Sequence, residues 1–448
     1  MAPMLTYDEA LDYLRQFINY EVRPRLSYDP EHFNVQAFEA FLQSLGSPHH
    51  AFPSVLIAGS KGKGSTAAMV SSILSKAGWR TGLFTKPHLV TIRERTQIER
   101  QPISREDFAT LVTELRSHVE SASQVPDKRF RTFFELTTAL SFLYFARQHV
   151  DIAVVEVGLG GRLDTTNVLT PQVAVLTPSG LEHTHILGTT LAAIAGEKAG
   201  IIKPRSRVVS APQAPEVVEV FDKHCQSQQA TLLLAGRDFQ WQVTAATTQG
   251  NRFHFDGCGL HLADLHVALL GRHQAANAAV ALAVAGQLRD QGWRVEEADL
   301  RQGLASVCWE GRVEILSQAP VVILDVAHTV ESAQCLVQTL AELFPSRRVW
   351  LVFGLAADKN APQIVATLAP LVHQAIVTPF SSPRTHDPAH LASLFHRRGI
   401  ATRTATDPLT ALHFARTHAA PADLICVTGS VLLLGELKAQ LQGLPIEF

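Results

Sequence analysis

Cysteine is scarce in this 448-residue chain, and Cys225, Cys258, Cys308, Cys335 and Cys426 lie far apart without a C-x-x-C pair. That spacing excludes a disulfide framework and a thiolate metal site, leaving reduced, mostly buried thiols as the expectation. An excess of charge of one sign is lacking too. With 39 Lys and Arg against 41 Asp and Glu the formal net charge is -2, and no Lys/Arg block supplies the footprint that nucleic acid requires. A small local patch for an anionic ligand is all the balance allows. No apolar run reaches membrane-spanning length, and the opening MAPMLTYDEALDYLRQF carries Asp8 and Glu9 where a secretory leader needs a basic end and then an apolar stretch. A cytoplasmic location is expected. Internal repeats and low-complexity tracts are also missing.

What is present is the balance of a globular enzyme, 46% hydrophobic and 18% charged residues. The length exceeds what one core supports, so two domains are expected, with room for a third. Helical patterns cover Tyr7 to Phe17 and Val35 to Leu45, followed by a β-like run at Ser54 to Ala58. A glycine-rich loop, a helix from Thr66 to Lys76 and a strand at Thr81 to Phe84 complete the order of a βαβ unit, which implies a parallel sheet. Asp151 to Val157 is a continuous apolar run preceded by a helical segment, Phe133 to Gln148, and Pro171 to Pro178 holds another strand. From about Gln226 to Leu269 short alternating segments with Gly250, Gly257 and Gly259 predict a small antiparallel excursion. A helix over Gly271 to Leu288 follows, and then VVILDVA, VWLVFG, AIVTPF and LICVTGS recur with helices between them. The expected architecture is α/β: a P-loop-type ATP-binding domain over residues 1–304 with a parallel sheet, and a smaller Rossmann-like domain over 305–448.

In Gly59-Ser60-Lys61-Gly62-Lys63-Gly64-Ser65, glycines let backbone N–H groups turn in around phosphate oxygens, Lys63 supplies a point charge and Ser65 a hydroxyl for Mg²⁺. The usual G-x-x-x-x-G-K-[ST] string is not met: position 57 is Ile, and Gly64 stands between Lys63 and Ser65. A second constellation, Glu156-Val-Gly-Leu-Gly-Gly-Arg162-Leu-Asp164, puts a carboxylate at the carboxyl end of a buried strand, the edge at which α/β sheets bind ligands. A structural carboxylate paired with Arg162 fits Glu156 equally well at this point. A histidine just past a strand, such as His183, is ordinarily a loop or core residue. Beside a phosphate loop and Glu156 it acquires a second reading, hard-metal coordination by a carboxylate and an imidazole.

Taken together, GSKGKGS, EVGLGGRLDTTNV, HTHILGTTLAAIAGEKAGIIK, GRHQAANAAVALA, WEGRVEIL and LDVAHT resemble the folylpolyglutamate synthase/dihydrofolate synthase family of the Mur ligase superfamily, from about Leu5 to Leu437. The resemblance implies a ligase in which ATP phosphorylates a substrate carboxylate and the amine of L-glutamate attacks the acyl phosphate, on a pterin or folate acceptor. It implies that Gly59, Gly62, Lys63, Gly64 and Ser65 hold the phosphates. Ser65, Glu156, His183 and Lys198 would serve two Mg²⁺ ions, with Lys198 carbamylated. Gln274 and Asn277 would contact ATP, Arg312 a phosphate, and Asp325 with His328 the nucleotide from the second domain; Lys63, His183, Lys198 and Arg312 would carry the catalysis. A monomer is expected. Thr428-Gly-Ser430 and Asp358-Lys359 also match family positions without an assigned role, and acceptor contacts are expected from loops after the glycine motif and near Thr96 to Gln101. Departures from the pattern are Lys86 for a serine, Lys61 for an asparagine, Glu182 for an aspartate, Thr329 for an asparagine and Glu310 for a proline. Two alternatives stay open: ligation of another amino acid onto a cell-wall or pterin-like acceptor, and a non-catalytic ATP-binding paralogue. The glycine loop stands too early for the extra amino-terminal domain of the cell-wall enzymes, and the retained Glu156, His183 and Lys198 argue for an enzyme.

Overall fold

The computed structural model describes residues 3–19, 33–123 and 131–447. Strands β1 (Ser54–Ala58), β2 (Thr81–Phe84), β3 (Thr96–Ile98), β4 (Gln101–Pro102), β5 (Ile152–Glu156), β6 (Val173–Leu176), β7 (Arg207–Ser210) and β8 (Thr231–Leu234) form one sheet in the order β4-β3-β2-β5-β1-β6-β7-β8. The strands from β2 to β8 in that order are parallel; β3 and β4 add an antiparallel edge. The central strands β1, β5 and β6 are apolar apart from Ser54 and Glu156 at their ends, because both faces are covered. Val55 and Ile57 of β1 enter one core with Ile152 and Val154 of β5, while Leu56 and Ala58 enter the opposite core with Ala153 and Val155. Alternate side chains of a strand point to opposite faces, and helices cover each.

Helix Lys63–Lys76 covers one face together with Arg272–Arg289 and Glu297–Ala305, where Ser72 Oγ donates to Gly303 O at 2.8 Å. Helix Phe133–Arg147 lies on the other face. Thr132 and Glu135 start it with reciprocal caps, each side chain accepting from the other's backbone N–H at 3.1 and 2.8 Å.

Within the span expected to be an antiparallel excursion, the first part is the end of helix Pro215–Gln228 and β8, which extends the parallel sheet. The antiparallel part is β9 (Phe239–Thr247), β10 (Gly250–Gly257) and β11 (Leu260–Val267), whose Phe253, Phe255, Leu262 and Leu265 join the core under helix Arg272–Arg289.

The second sheet has the order β12-β13-β17-β14-β15-β16, built from β12 (Glu314–Gln318), β13 (Val321–Leu324), β14 (Val349–Phe353), β15 (Val372–Val377), β16 (Ala401–Thr404) and β17 (Leu424–Thr428). It is parallel except for β12, an edge strand that the sequence pattern does not announce. Leu89 and Val90, from the loop after β2, pack in one of its cores beside Val326 and Leu434. All five cysteines are free thiols, but Cys225 and Cys426 alone are buried and Cys308 is exposed, so burial is less general than expected. Among the described residues no helix is long and apolar enough to cross a membrane.

Candidate active site at the crevice between β1 and β6

The crossover from β1 runs to β2 on one side and that from β6 to β7 on the other, so the carboxyl ends of β1 and β6 flank a topological switch point, where open α/β sheets form a crevice. The glycine loop leaves β1 into this crevice and is tied to the loop after β6: Ser60 N and Lys61 N donate to Pro178 O at 2.9 and 3.3 Å, and Gly180 N donates to Ser60 Oγ at 3.0 Å. Two glycines are demanded by geometry. A Cβ on Gly59 would lie 1.8 Å from Thr177 Oγ1; one on Gly62, whose φ is +82°, would lie 2.5 Å from Asn277 Oδ1. Gly64 faces the Trp309 ring, 3.1 Å from the position of a Cβ, which explains the glycine between Lys63 and Ser65. The helix begins at Lys63, not Thr66, so Lys63, Gly64 and Ser65 form its first turn and its unpaired N–H groups face the loop.

Lys63 sits half-buried with its Nζ 3.1 Å from Gly59 O and 3.8 Å from Glu156 Oε1. Burial lowers its pKa, Glu156 raises it, and Lys86 lowers it again. Glu156 is buried and accepts from Lys86 N at 3.3 Å. Its pairing with Arg162, open from sequence, is not what forms: Arg162 binds Glu197 at 2.7 Å, and its backbone N donates to Glu197 O at 2.8 Å. That contact clamps the glycine turn after β5 onto helix Leu191–Ala199, where Lys198 is buried at 3% exposure. Burial and the neighbouring charge of Lys63 pull the Lys198 pKa down to about 7, with Glu182 opposing and Lys86 and Lys61 reinforcing.

Glu182 accepts from Lys61 Nζ at 2.8 Å and lies 3.9 Å from His328 Nε2. Burial opposes its ionisation, yet Lys61 and Lys63 hold the carboxyl far below the usual range. His183 opens onto the crevice. The protein around it, with Lys86, Lys359 and Lys63, keeps its imidazole neutral against the pull of Glu182. Asp164 serves the turn itself, accepting from Leu159 N at 2.8 Å and from Thr166 N at 3.0 Å.

From the other wall, Asp325 at the end of β13 accepts from Val313 N and Ala327 N at 3.0 and 2.8 Å. Burial raises its pKa to about 6 against the guanidinium of Arg312. Burial pulls the Arg312 pKa down, while Asp325 and Glu156 support its charge. His328 places Nδ1 2.7 Å from Val326 O, so Nδ1 carries the proton and Nε2 faces Glu182. Gln274 and Asn277, one helical turn apart at the start of Arg272–Arg289, are joined by a 3.0 Å bond from Asn277 Nδ2 to Gln274 Oε1.

Lys63, Glu156, His183, Lys198, Arg312, Asp325 and His328 therefore share one electrostatic environment, and Asn277 touches the loop. Glu156 and His183 do not form a ready-made cluster with a third carboxylate, histidine or cysteine among the described residues. Lys61, Glu182 and Lys359 enter the same network although sequence reasoning gave them no role. The spacing of Lys61 to Gly62 and of Glu182 to His183 was the available signal. Asp358 is paired with Lys359 and Arg384 at 3.1 and 2.6 Å. Thr96, at the start of the stretch where acceptor contacts are expected, is buried against Ser141, Oγ1 to Oγ 2.6 Å.

A model of the Mur ligase middle domain matches residues 57–285, and one of the Mur ligase glutamate ligase domain matches 311–431. The dihydrofolate synthase/folylpolyglutamate synthase of Bacillus subtilis (strain 168) is 32% identical over 440 residues, 97% of this chain and 99% of that protein. The chain belongs to the folylpolyglutamate synthase/dihydrofolate synthase family. Among solved members of this family, Mycobacterium tuberculosis folylpolyglutamate synthase complexed with ADP and AMPPCP superposes with a TM-score of 0.87 at 33% identity, covering 98% of this chain and 100% of that one. Escherichia coli FolC in complex with DHPP and ADP gives 0.85 at 28% identity and covers 98% of both chains. The eight-stranded and six-stranded sheets described above are the fold of this family.

Proposed function

We infer that the chain is an ATP-dependent ligase that joins L-glutamate to a folate-type acceptor, dihydropteroate, a reduced folate or both, through an acyl phosphate. The observation that carries this reading is the convergence on one crevice of Lys63, 3.8 Å from Glu156, with Arg312 and the Lys61–Glu182 pair, which His328 approaches to 3.9 Å from the second sheet. A γ-phosphoryl group there is met by the first-turn N–H groups of helix Lys63–Lys76, the Lys63 ammonium and the Arg312 guanidinium, which neutralise its developing charge. The acceptor carboxylate attacks phosphorus and ADP leaves. The glutamate amine then attacks the acyl carbon, and inorganic phosphate departs with one carboxylate oxygen. The reaction replaces a poor leaving group with a good one, so positioning supplies much of the rate.

Buried Glu156 and Ser65 and the neutral imidazole of His183 fit Mg²⁺, which they would hold beside the phosphates. Bound there, Mg²⁺ would supply countercharge to the phosphate oxygens. Lys198 supports a further reading. A pKa near 7 leaves about half its amines neutral at neutral pH, and a neutral amine can form an N–C bond with CO₂ and release a proton. The resulting carbamate would offer an anionic oxygen ligand to a second Mg²⁺. Gln274, Asn277, Asp325 and His328 contact the nucleotide, and the division at 304/305 separates two halves that close over it. Both walls come from one polypeptide, so a monomer holds a complete site.

The test is incubation of the protein with ATP, Mg²⁺ and L-glutamate plus either dihydropteroate or tetrahydrofolate, with products weighed by mass spectrometry. A mass gain of one glutamyl unit on either acceptor is expected. Nucleotide binding with no glutamylated product from any acceptor would reject the ligase in favour of a non-catalytic paralogue.

A further inference from the structure

Away from the crevice, Glu39, His49 and His50 each offer a ligand-type atom, and these atoms lie within 4.8 Å of one another. Glu39 is on helix Val35–Ser44, and the two histidines end the short turn Pro48–His50 that leads into β1. Ser47, at φ +56°, reverses the chain after the helix, and Pro48 fixes the first residue of the turn. The two imidazoles come out side by side, ring centroids 3.9 Å apart, facing the carboxylate of the preceding helix.

His49 is the anomaly in this group. It is 3% exposed, and neither Nδ1 nor Nε2 has a hydrogen-bond partner among the described residues. Buried imidazoles ordinarily satisfy at least one nitrogen, and a dry polar atom costs about 1–3 kcal/mol. Glu39 likewise makes no hydrogen bond or ion pair among the described residues; Lys203, which feels its charge, gives its Nζ to Asn167 O at 2.7 Å.

We propose that Glu39, His49 and His50 form a metal site, separate from the catalytic crevice, that holds one zinc-class divalent transition ion with water in the fourth position. Two imidazole nitrogens with a single carboxylate oxygen are the donor set of such ions; Mg²⁺ and Ca²⁺ bind mostly through oxygen, and a site with nitrogen as its majority donor disfavours them. His50 is exposed and Glu39 half-buried, so both can turn onto an ion fixed by His49. The ion gives the His49 ring the partner that the protein does not. It also staples helix Val35–Ser44, which packs on the Thr165–Val168 turn, to the turn that feeds β1 and the glycine loop.

The test uses the full chain, stripped of metal and kept in excess Mg²⁺ to occupy the crevice, and titrates it with Co²⁺ as the probe. One equivalent should bind with the visible absorption of a tetrahedral N/O site, and Zn²⁺ should displace it. His50→Ala and Glu39→Gln, at positions that are not buried, should each weaken the site roughly tenfold or more, without lowering the melting temperature of the metal-free protein. Zn²⁺ should raise the melting temperature of the parent chain and not of His50→Ala. Absence of a tetrahedral Co²⁺ spectrum in the parent chain, or an affinity unchanged in either variant, overturns the proposal.

Discussion

Gly62→Ala is the sharpest perturbation of the glycine loop, because Gly78 offers a control with nearly the same backbone. Gly62 has φ +82° and Gly78 φ +86°, but a Cβ on Gly62 meets Asn277 Oδ1 at 2.5 Å whereas one on Gly78 meets nothing within 4 Å. Left-handed backbone alone costs an L-residue about 1–2 kcal/mol, and both variants should lose that much. At Gly62 the new methyl must also expel the Asn277 amide from its 3.0 Å bond to Gln274, which adds about 1 kcal/mol. Gly62→Ala should therefore unfold in urea with a stability about 1 kcal/mol below Gly78→Ala. The displaced loop and Asn277 should weaken ATP binding roughly tenfold or more, a loss of about 1.4 kcal/mol, while Gly78→Ala binds ATP as the parent does. Calorimetric titration with ATP and urea denaturation read the two effects separately. Equal stability and equal ATP affinity in the two variants would refute the steric account of the loop.

Further outcomes follow from the charges. Lys86→Ala removes a positive charge that lowers the pKa of Lys198, so that pKa should rise from about 7 and the acid limb of the pH–rate profile should move to higher pH. An unchanged limb together with unchanged ATP affinity and turnover would show that Lys86 points away from the chemistry. Lys63→Met should lower kcat/KM about 100-fold or more with a far-UV spectrum like the parent's, since the half-buried cation beside Glu156 is lost; a loss below tenfold would place the phosphate elsewhere. Lys438, buried against Glu310 and Glu314, should respond asymmetrically in thermal denaturation. Lys438→Met leaves two carboxylates without their shared cation and should cost about 2 kcal/mol or more, whereas Glu310→Gln keeps Glu314 as partner and should cost under about 1 kcal/mol. Equal shifts in melting temperature would contradict this.

Much of the fold was legible because the parallel strands are buried on both faces. SVLIA, DIAVVEV and LICVTGS read as continuous apolar runs, and the recurring helices between them imply the crossover topology. β12 was not legible: EILSQ is an edge strand half-exposed on both faces, and its pairing with β13 is set by tertiary context. β8 was misread as part of the antiparallel excursion, since TLLL has too few residues to separate a parallel edge from a hairpin arm. At the site, the motif positions pointed to Lys63, Glu156, Lys198 and Arg312. That Glu156 is not paired with Arg162 needed the clamp of Arg162 on Glu197, which joins positions 35 residues apart. The Lys61–Glu182 pair spans 121 residues and joins two strand ends that adjoin through sheet order alone. The Thr96 hydroxyl meets that of Ser141 inside the core, a contact that no local pattern encodes.

The central claim is that the crevice between β1 and β6 activates a carboxylate by phosphorylation. It is tested most directly by an acceptor whose reacting carboxylate carries ¹⁸O, turned over with ATP, Mg²⁺ and L-glutamate. The account predicts that one ¹⁸O of the carboxylate appears in the released inorganic phosphate and that Lys63→Met slows this transfer in step with product formation. Product formed with unlabelled phosphate would contradict it.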